Sequence, residues 1–312
     1  MATALVLAGN SFVGQHLVRN LRQGGHHVVV TARIPRPGLI PCDLTNPRQV
    51  EAVIAASRAS WIIHCAGAPA NVPRADMDRL HVDGTLGLLR AIARQVPESA
   101  VLLFGSAAEY GNVEPAALPV CEEYPGRPDS AFGQSKLAQL QAARQAAADF
   151  KLRILVVRPF NILGPGLPEH YVAGALARRL LQALAANRTG LFSVANGHAT
   201  RDWVHVRDVV DAVVGLLSQA VPPPGEVGLY NIATGLETPV LALADKMCRL
   251  AGPFQAVPGD TESSRSGIIR SCGDSSRLRK TIGWRPCFSW QQCVEDLWRA
   301  AANPSCPGFE CA

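Results

Sequence analysis

No stretch of about 18 uninterrupted apolar residues runs through this 312-residue chain, so a membrane-spanning helix is not expected. The net charge of +5 is spread over isolated arginines and a few lysines. With no basic block, nucleic acid is not expected as a partner. A mildly basic surface suits an anionic small molecule instead. The nine cysteines (Cys42, Cys65, Cys121, Cys248, Cys272, Cys287, Cys293, Cys306 and Cys311) form no CxxC pair, and the start, MATALVLAGN, carries no basic leader. An odd number of scattered thiols without a leader is expected of a cytoplasmic protein with reduced cysteines. Cys306 and Cys311 stand in a Pro- and Gly-containing tail that is expected to fray. The eight histidines show neither HxH, HxxxH nor mixed Cys/His ligand spacing, so no metal is expected. A GxSxG elbow is absent as well. There is no internal repeat.

What is present is enough for a large core: 48% of residues are hydrophobic and 18% charged. Short apolar runs at 3–8, 28–30, 61–64, 100–105 and 153–158 alternate with helical patterns at 14–23, 47–57, 76–95 and 133–149. Strands apolar on both sides, separated by helices, predict an α/β fold: a Rossmann-type, doubly wound parallel sheet covered on both faces. The rhythm breaks at GPGLP, near residue 164. Helices are predicted at 171–186 and 207–219, then a PPPG linker at 222–225 and a mixed tail. The expected division is a dinucleotide-binding domain over 1–165, to which 206–225 returns, and a smaller C-terminal substrate lobe over 166–205 and 226–312.

The first strand runs into a helix through Leu7-Ala8-Gly9-Asn10-Ser11-Phe12-Val13-Gly14. In a dinucleotide fold this turn brings the pyrophosphate to the free N–H groups and favourable dipole of the helix start. Ala8 would put a Cβ where a left-handed backbone is wanted, at roughly 1 kcal/mol. Gly9 could supply the flexible turn, and Ser11 a hydroxyl to the phosphate. The plain alternative is a strand–turn–helix junction that binds nothing. After the second strand come Thr31-Ala32-Arg33, with no acid to hold a ribose 2′-hydroxyl. A base there suits a 2′-phosphate, which favours NADP over NAD; otherwise Arg33 is a solvated surface residue.

Further motifs follow in order. They are Asp43-Leu44; His64-Cys65-Ala66-Gly67; His81 before Val82-Asp83-Gly84-Thr85; GSAAEYG at 105–111; Phe132-Gly133-Gln134-Ser135-Lys136; Arg158-Pro159-Phe160-Asn161 with Gly164-Pro165-Gly166; Arg201-Asp202-Trp203-Val204-His205-Val206-Arg207-Asp208-Val209; Tyr230-Asn231-Ile232-Ala233; and Gly283-Trp284-Arg285-Pro286. Over nearly its whole length the chain thereby resembles the extended short-chain dehydrogenase/reductase family. It is most similar to the branch of NAD-dependent nucleotide-sugar epimerases, dehydratases and 4-keto-6-deoxyhexose reductases.

The resemblance implies NADP or NAD as cofactor, contacted by Ala8, Gly9, Ser11, Phe12, Val13, Gly14, Arg33, Asp43, Leu44, Cys65, Ala66, Gly67, Lys136 and Pro159. Where the family has three glycines spaced GxxGxxG, this chain has Ala8, Ser11 and Gly14, and His81 replaces the usual Asn. Ser106, Ala107, Asn161 and Arg201 are implied on the substrate side. An arginine's planar fork suits a diphosphate, and Arg201 is favoured over Arg178, Arg179, Arg188, Arg265, Arg270 and Arg277. Asp208 is expected to anchor the start of its own helix.

The family's catalytic set is a Ser or Thr, a Tyr, and a Lys four residues after the Tyr. Ser106 and Lys136 match it, but the tyrosine position holds Phe132, which has no proton to exchange. Loss of such a relay typically costs about 10²–10⁴-fold in rate. His170 and Tyr171 are the favoured substitutes, ahead of Tyr110, Glu109, Cys121, Glu122 and Glu123. Ala107 and Ala108 stand where dehydratases of the family carry Asp-Glu and where epimerase-reductases carry a Cys at the second place, so the motif is most similar to that of simple keto-sugar reductases. Three alternatives stay open: a redox-silent binding or regulatory relative, a non-redox catalyst using the same pocket, and a Phe132 introduced in place of tyrosine. The partners implied are a nucleotide sugar and a second copy of the chain, paired through the helices at 76–95 and 133–149.

Overall fold

A computed structural model describes residues 1–69, 71–259 and 268–303; Arg265, Cys306 and Cys311 lie outside them. In chain order the strands are β1 (Thr3–Leu7), β2 (His27–Ala32), β3 (Ile40–Pro41), β4 (Trp61–His64), β5 (Ala100–Phe104), β6 (Arg153–Pro159), β7 (Asn161–Leu163), β8 (Gly190–Val194), β9 (Thr200–His205), β10 (Val227–Ile232), β11 (Glu237–Pro239) and β12 (Phe254–Pro258). The helices are α1 (Phe12–Gln23), α2 (Pro47–Ser57), α3 (Arg74–Asp78), α4 (Thr85–Gln95), α5 (Ala131–Phe150), α6 (Val172–Ala185), α7 (Val206–Gln219), α8 (Val240–Ala251), α9 (Ser276–Ile282) and α10 (Trp290–Ala302). A π-helical turn, Arg79–Gly84, joins α3 to α4, so the helix expected over 76–95 carries a bulge around His81.

The main sheet has seven strands in the order β10-β6-β5-β4-β1-β2-β3, all parallel. Alternate residues of each strand face opposite layers. Leu5, Leu7, Ile62, Val101, Leu103 and Ile154 pack toward α2, α4 and α5. Ala4, Val6, Ile63, Leu102 and Leu155 pack toward α1 and α7. Both faces are dry, which is why these strands read as continuous apolar runs. The Rossmann-type, doubly wound sheet is thus present. A third core, built from α6, α8, α10 and β8, fills a smaller C-terminal lobe carrying the sheets β11-β9-β7 and β12-β8.

Two expectations need correction. Val227–Ile232, expected in the substrate lobe, pairs as β10 with β6 along six residues and closes the main sheet. Its partner lies more than 70 positions away in the chain, beyond the reach of any local pattern. Asp208 does not hold its own helix start. His205 caps α7, its Nδ1 accepting from Arg207 N, while the buried Asp208 carboxylate accepts from Cys287 N at 2.9 Å and Phe288 N at 3.3 Å. Asp208 therefore pins the segment ahead of α10. The described cysteines are all free thiols, and no described helix is long and apolar enough to cross a membrane.

Candidate cofactor and sugar site

Strand order reverses between β1 and β4, which opens a crevice at the carboxyl ends of the parallel strands. The sequence-predicted residues converge on that edge. Ala8–Gly14 follow β1, Arg33 follows β2, Cys65–Gly67 follow β4, Ser106 follows β5, and Pro159 ends β6. Asp43 and Leu44 come just after β3; the Asp43 carboxylate accepts from the N–H and hydroxyl of Thr45, and Leu44 is buried.

Ala8 takes the left-handed conformation, φ +53°, so the strain foreseen for its Cβ is real. Gly9 does not supply the turn. It is glycine because a Cβ there would lie 2.4 Å from Val30 Cγ1 of β2. At Gly14 a Cβ would meet Ala8 O at 2.7 Å, so the helix can press onto the loop only with glycine. Ser11 caps α1, its hydroxyl accepting from Gly14 N at 3.3 Å and keeping its own proton for donation. Phe12 and Val13 open the helix with N–H groups that have no preceding turn to bind. These features fit a pyrophosphate. Replacing Ala8 by glycine removes the left-handed strain and should raise stability by roughly 1 kcal/mol, read from the urea midpoint.

Behind the crevice lies a buried polar cluster on α5 and the bulged helix. Lys136 Nζ donates to Phe104 O at 2.8 Å and to Gln139 Oε1 at 3.0 Å. Gln139 Nε2 donates to Thr85 Oγ1 at 2.9 Å, and that hydroxyl lies 3.4 Å from His64 Nε2. His81 Nε2 accepts from Ala68 N at 3.0 Å, so its Nδ1 carries the proton, 3.0 Å from Ser135 Oγ. The Phe132 ring meets His81 edge-on at 5.8 Å. Burial pushes Lys136 down to about 8. Burial, and then the neighbouring Lys136, push His64 to about 3 and His81 to about 2. Both imidazoles are neutral in the fold but protonate near 6.5 once unfolded. Their contribution to stability is complete above pH 6.5 and is lost as pH falls below it, approaching about 1.4 kcal/mol per pH unit for each. Thermal melts between pH 7 and pH 5 should show this loss, and His81→Asn should lessen the slope.

Ser106 caps a short turn, its hydroxyl accepting from Ala108 N at 3.1 Å and its N–H donating to Glu109 Oε1 at 2.8 Å. Neither bond uses its hydroxyl proton. Glu109 and Tyr110, possible proton donors by sequence, are committed to structure. Glu109 is fully buried and pairs with Arg158 Nε at 2.7 Å. Tyr110 lies under that guanidinium, and its hydroxyl donates to Asn231 Oδ1 at 2.7 Å. Glu122 accepts from Asn231 N, and Glu123 pairs with Arg277. Asp202 accepts from Thr234 N, Thr234 Oγ1, Gly235 N and Gly273 N, fastening the turn after β10. The roles of Asn231, Asp202 and Gln139 were missed in the sequence. Only Gln139, three residues after Lys136 on α5, carried a helical-spacing signal.

In the smaller lobe, Asn161 and Arg201 lie on neighbouring strands, β7 and β9, and the Arg201 guanidinium donates to Thr200 O. His170 and Tyr171 pack ring against ring at 4.4 Å ahead of α6. Among the described residues no hydrogen bond joins either to Ser106 or Lys136. Arg178, Arg270 and Arg277 are engaged by Glu169, Glu237 and Glu123. Arg179 and Arg188 instead line a cavity of about 620 Å³ with Gln182, Phe192 and Phe254.

The model of the NAD dependent epimerase/dehydratase family matches residues 4–233. GDP-6-deoxy-D-mannose reductase of Pseudomonas aeruginosa is 34% identical over 246 residues, covering 76% of this chain and 78% of that protein. The dTDP-6-deoxy-L-talose 4-dehydrogenase (NAD(P)(+)) of Kitasatospora kifunensis is 27% identical over 312 residues, covering 97% and 96%. Among solved structures, RMD from Pseudomonas aeruginosa complexed with NADPH is similar with a TM-score of 0.84 at 26% identity, covering 97% of this chain and 98% of that one.

Proposed function

For a chain that belongs to the NAD-dependent epimerase/dehydratase family, we propose the reduction of a nucleotide-linked 4-keto-6-deoxy sugar with NADPH. The observation that supports it is Lys136 of α5 bonded to Phe104 O at the end of β5, the strand that leads into Ser106, with Phe132 one turn earlier on α5 and Ala107 and Ala108 where a dehydratase would need acids. The start of α1 and the Ser11 hydroxyl hold the pyrophosphate. Arg33 takes the 2′-phosphate, Asp43 and Leu44 border the adenine, and Cys65, Ala66, Gly67 and Pro159 line the path to the nicotinamide. When bound, the nicotinamide supplies hydride chemistry. Lys136 orients its ribose, and Ser106 donates a hydrogen bond to the keto oxygen. Asn161 and Arg201 reach the sugar nucleotide, and the cavity beside Arg179 and Arg188 offers cations and aromatic faces to its nucleotide part. His170 and Tyr171 flank the sugar. Two copies pair through α4 and α5, which light scattering would register as a dimer.

The test is absorbance at 340 nm during incubation with NADPH and a panel of GDP- and dTDP-4-keto-6-deoxyhexoses. Consumption of NADPH supports the reading. Arg33→Ala should weaken NADPH at least about tenfold and leave NADH unchanged, since a phosphate–guanidinium pair is worth over 1 kcal/mol. Phe132 favours a second reading, a relative that binds nucleotide sugar without redox turnover; binding by calorimetry with no loss at 340 nm would select it.

A further inference from the structure

We infer that Lys136 itself moves the catalytic proton, through one water molecule held where the hydroxyl of a tyrosine at position 132 would lie. The inference rests on the reduction reading above. Phe132 and Lys136 stand four residues apart on α5, so they share a helix face. Phenylalanine in place of tyrosine omits one hydroxyl on that helix face, one turn before the lysine.

Several exchangeable groups around Ser106 are occupied. Tyr110 donates to Asn231, Glu109 is paired with Arg158 and Ser106 N, and Glu122 holds Asn231 N. His64 and His81 are buried and neutral, and His81 has both ring nitrogens engaged. Lys136 differs. Its two acceptors, Phe104 O and Gln139 Oε1, are uncharged, and its third N–H is left over. The titratable groups facing it are His64 from β4, His81 from the π-turn and Glu109 from the turn after β5; none forms an ion pair with it. An ammonium buried without a paired carboxylate gives up its proton more readily than a surface lysine, and burial, opposed only in part by the Glu109 charge, brings this one to about 8.

The step balances. Hydride from the reduced nicotinamide bonds to the keto carbon, the carbonyl π-bond opens, and its electron pair moves to oxygen. The bridging water protonates that oxygen and takes a proton from Nζ, leaving a neutral amine. The ketone becomes an alcohol, NADPH is oxidised, and the amine regains a proton from solvent on product release.

The chain has only four lysines, Lys136, Lys151, Lys246 and Lys280, so carbon NMR of protein labelled at lysine Cε resolves each, with Lys136→Met giving the assignment. The Lys136 signal is expected to titrate near pH 8, below the ordinary lysine value of 10.5, and reduction of the keto-sugar panel to decline above the same pH. Lys136→Arg keeps the charge but cannot release a proton. It should bind NADPH within about tenfold of the parent, by fluorescence, and lose turnover by about 10²-fold or more. Titration of Lys136 near the ordinary 10.5, or Lys136→Arg retaining more than a tenth of parental turnover, overturns the inference and leaves the reduction reading intact. Failure of the parent to take up NADPH, or uptake without turnover on any keto sugar, overturns both.

Discussion

Phe132→Tyr raises turnover of a nucleotide-linked keto sugar by about 10²-fold or more, with little change in NADPH affinity. The effect is large because the rest of the set is in place. Ser106 keeps a free hydroxyl proton, and Lys136 is held one turn away by Phe104 O and Gln139. The ring already packs edge-on to the neutral His81, an arrangement a phenol ring can keep. A covalently positioned hydroxyl, close to a lysine that lowers its pKa, replaces a mobile water. Single-turnover and steady-state rates at 340 nm check this. A variant no faster than the parent would mean that a hydroxyl at position 132 does not reach the reacting oxygen.

Arg158→Met destabilises the fold by about 3–5 kcal/mol, because it leaves a buried carboxylate without its cation. Arg158 and Glu109 have side chains only 3% and 0% exposed, and Nε lies 2.7 Å from Oε2. The same carboxylate accepts from Ser106 N, so loss of its cation also loosens Ser106. The guanidinium covers Tyr110 at 4.5 Å, and that contact goes too. Urea unfolding should show the full loss in the single variant and partial recovery in Arg158→Met with Glu109→Gln, where the buried charge is gone. A single variant within about 1 kcal/mol of the parent would show that the pair is not desolvated as described.

These two residues mark the boundary of what the chain reveals unfolded. Phe132, Ser106 and Lys136 are legible because helix spacing and the end of an apolar strand place them, and such local rules survive folding. The parallel sheet is legible for the same reason: β1, β4, β5 and β6 are buried on both faces and so are apolar throughout. Ala8 was readable too, since the turn it occupies demands a left-handed residue, and φ +53° bears this out. Gly9 was misassigned because its constraint is Val30, a neighbour on another strand. β10 was misplaced because a sheet edge is chosen by long-range pairing. Asn231 takes a hydrogen bond from Tyr110 across 121 positions and donates to Val120 across 111, and no spacing in the sequence announces such a hub.

Calorimetric titration of the purified protein with NADPH bears most directly on whether the Ala8–Gly14 crevice receives a dinucleotide. Saturable one-to-one heat that Arg33→Ala weakens is expected. A flat trace up to roughly millimolar NADPH, where even a 4 kcal/mol interaction would register, would contradict it.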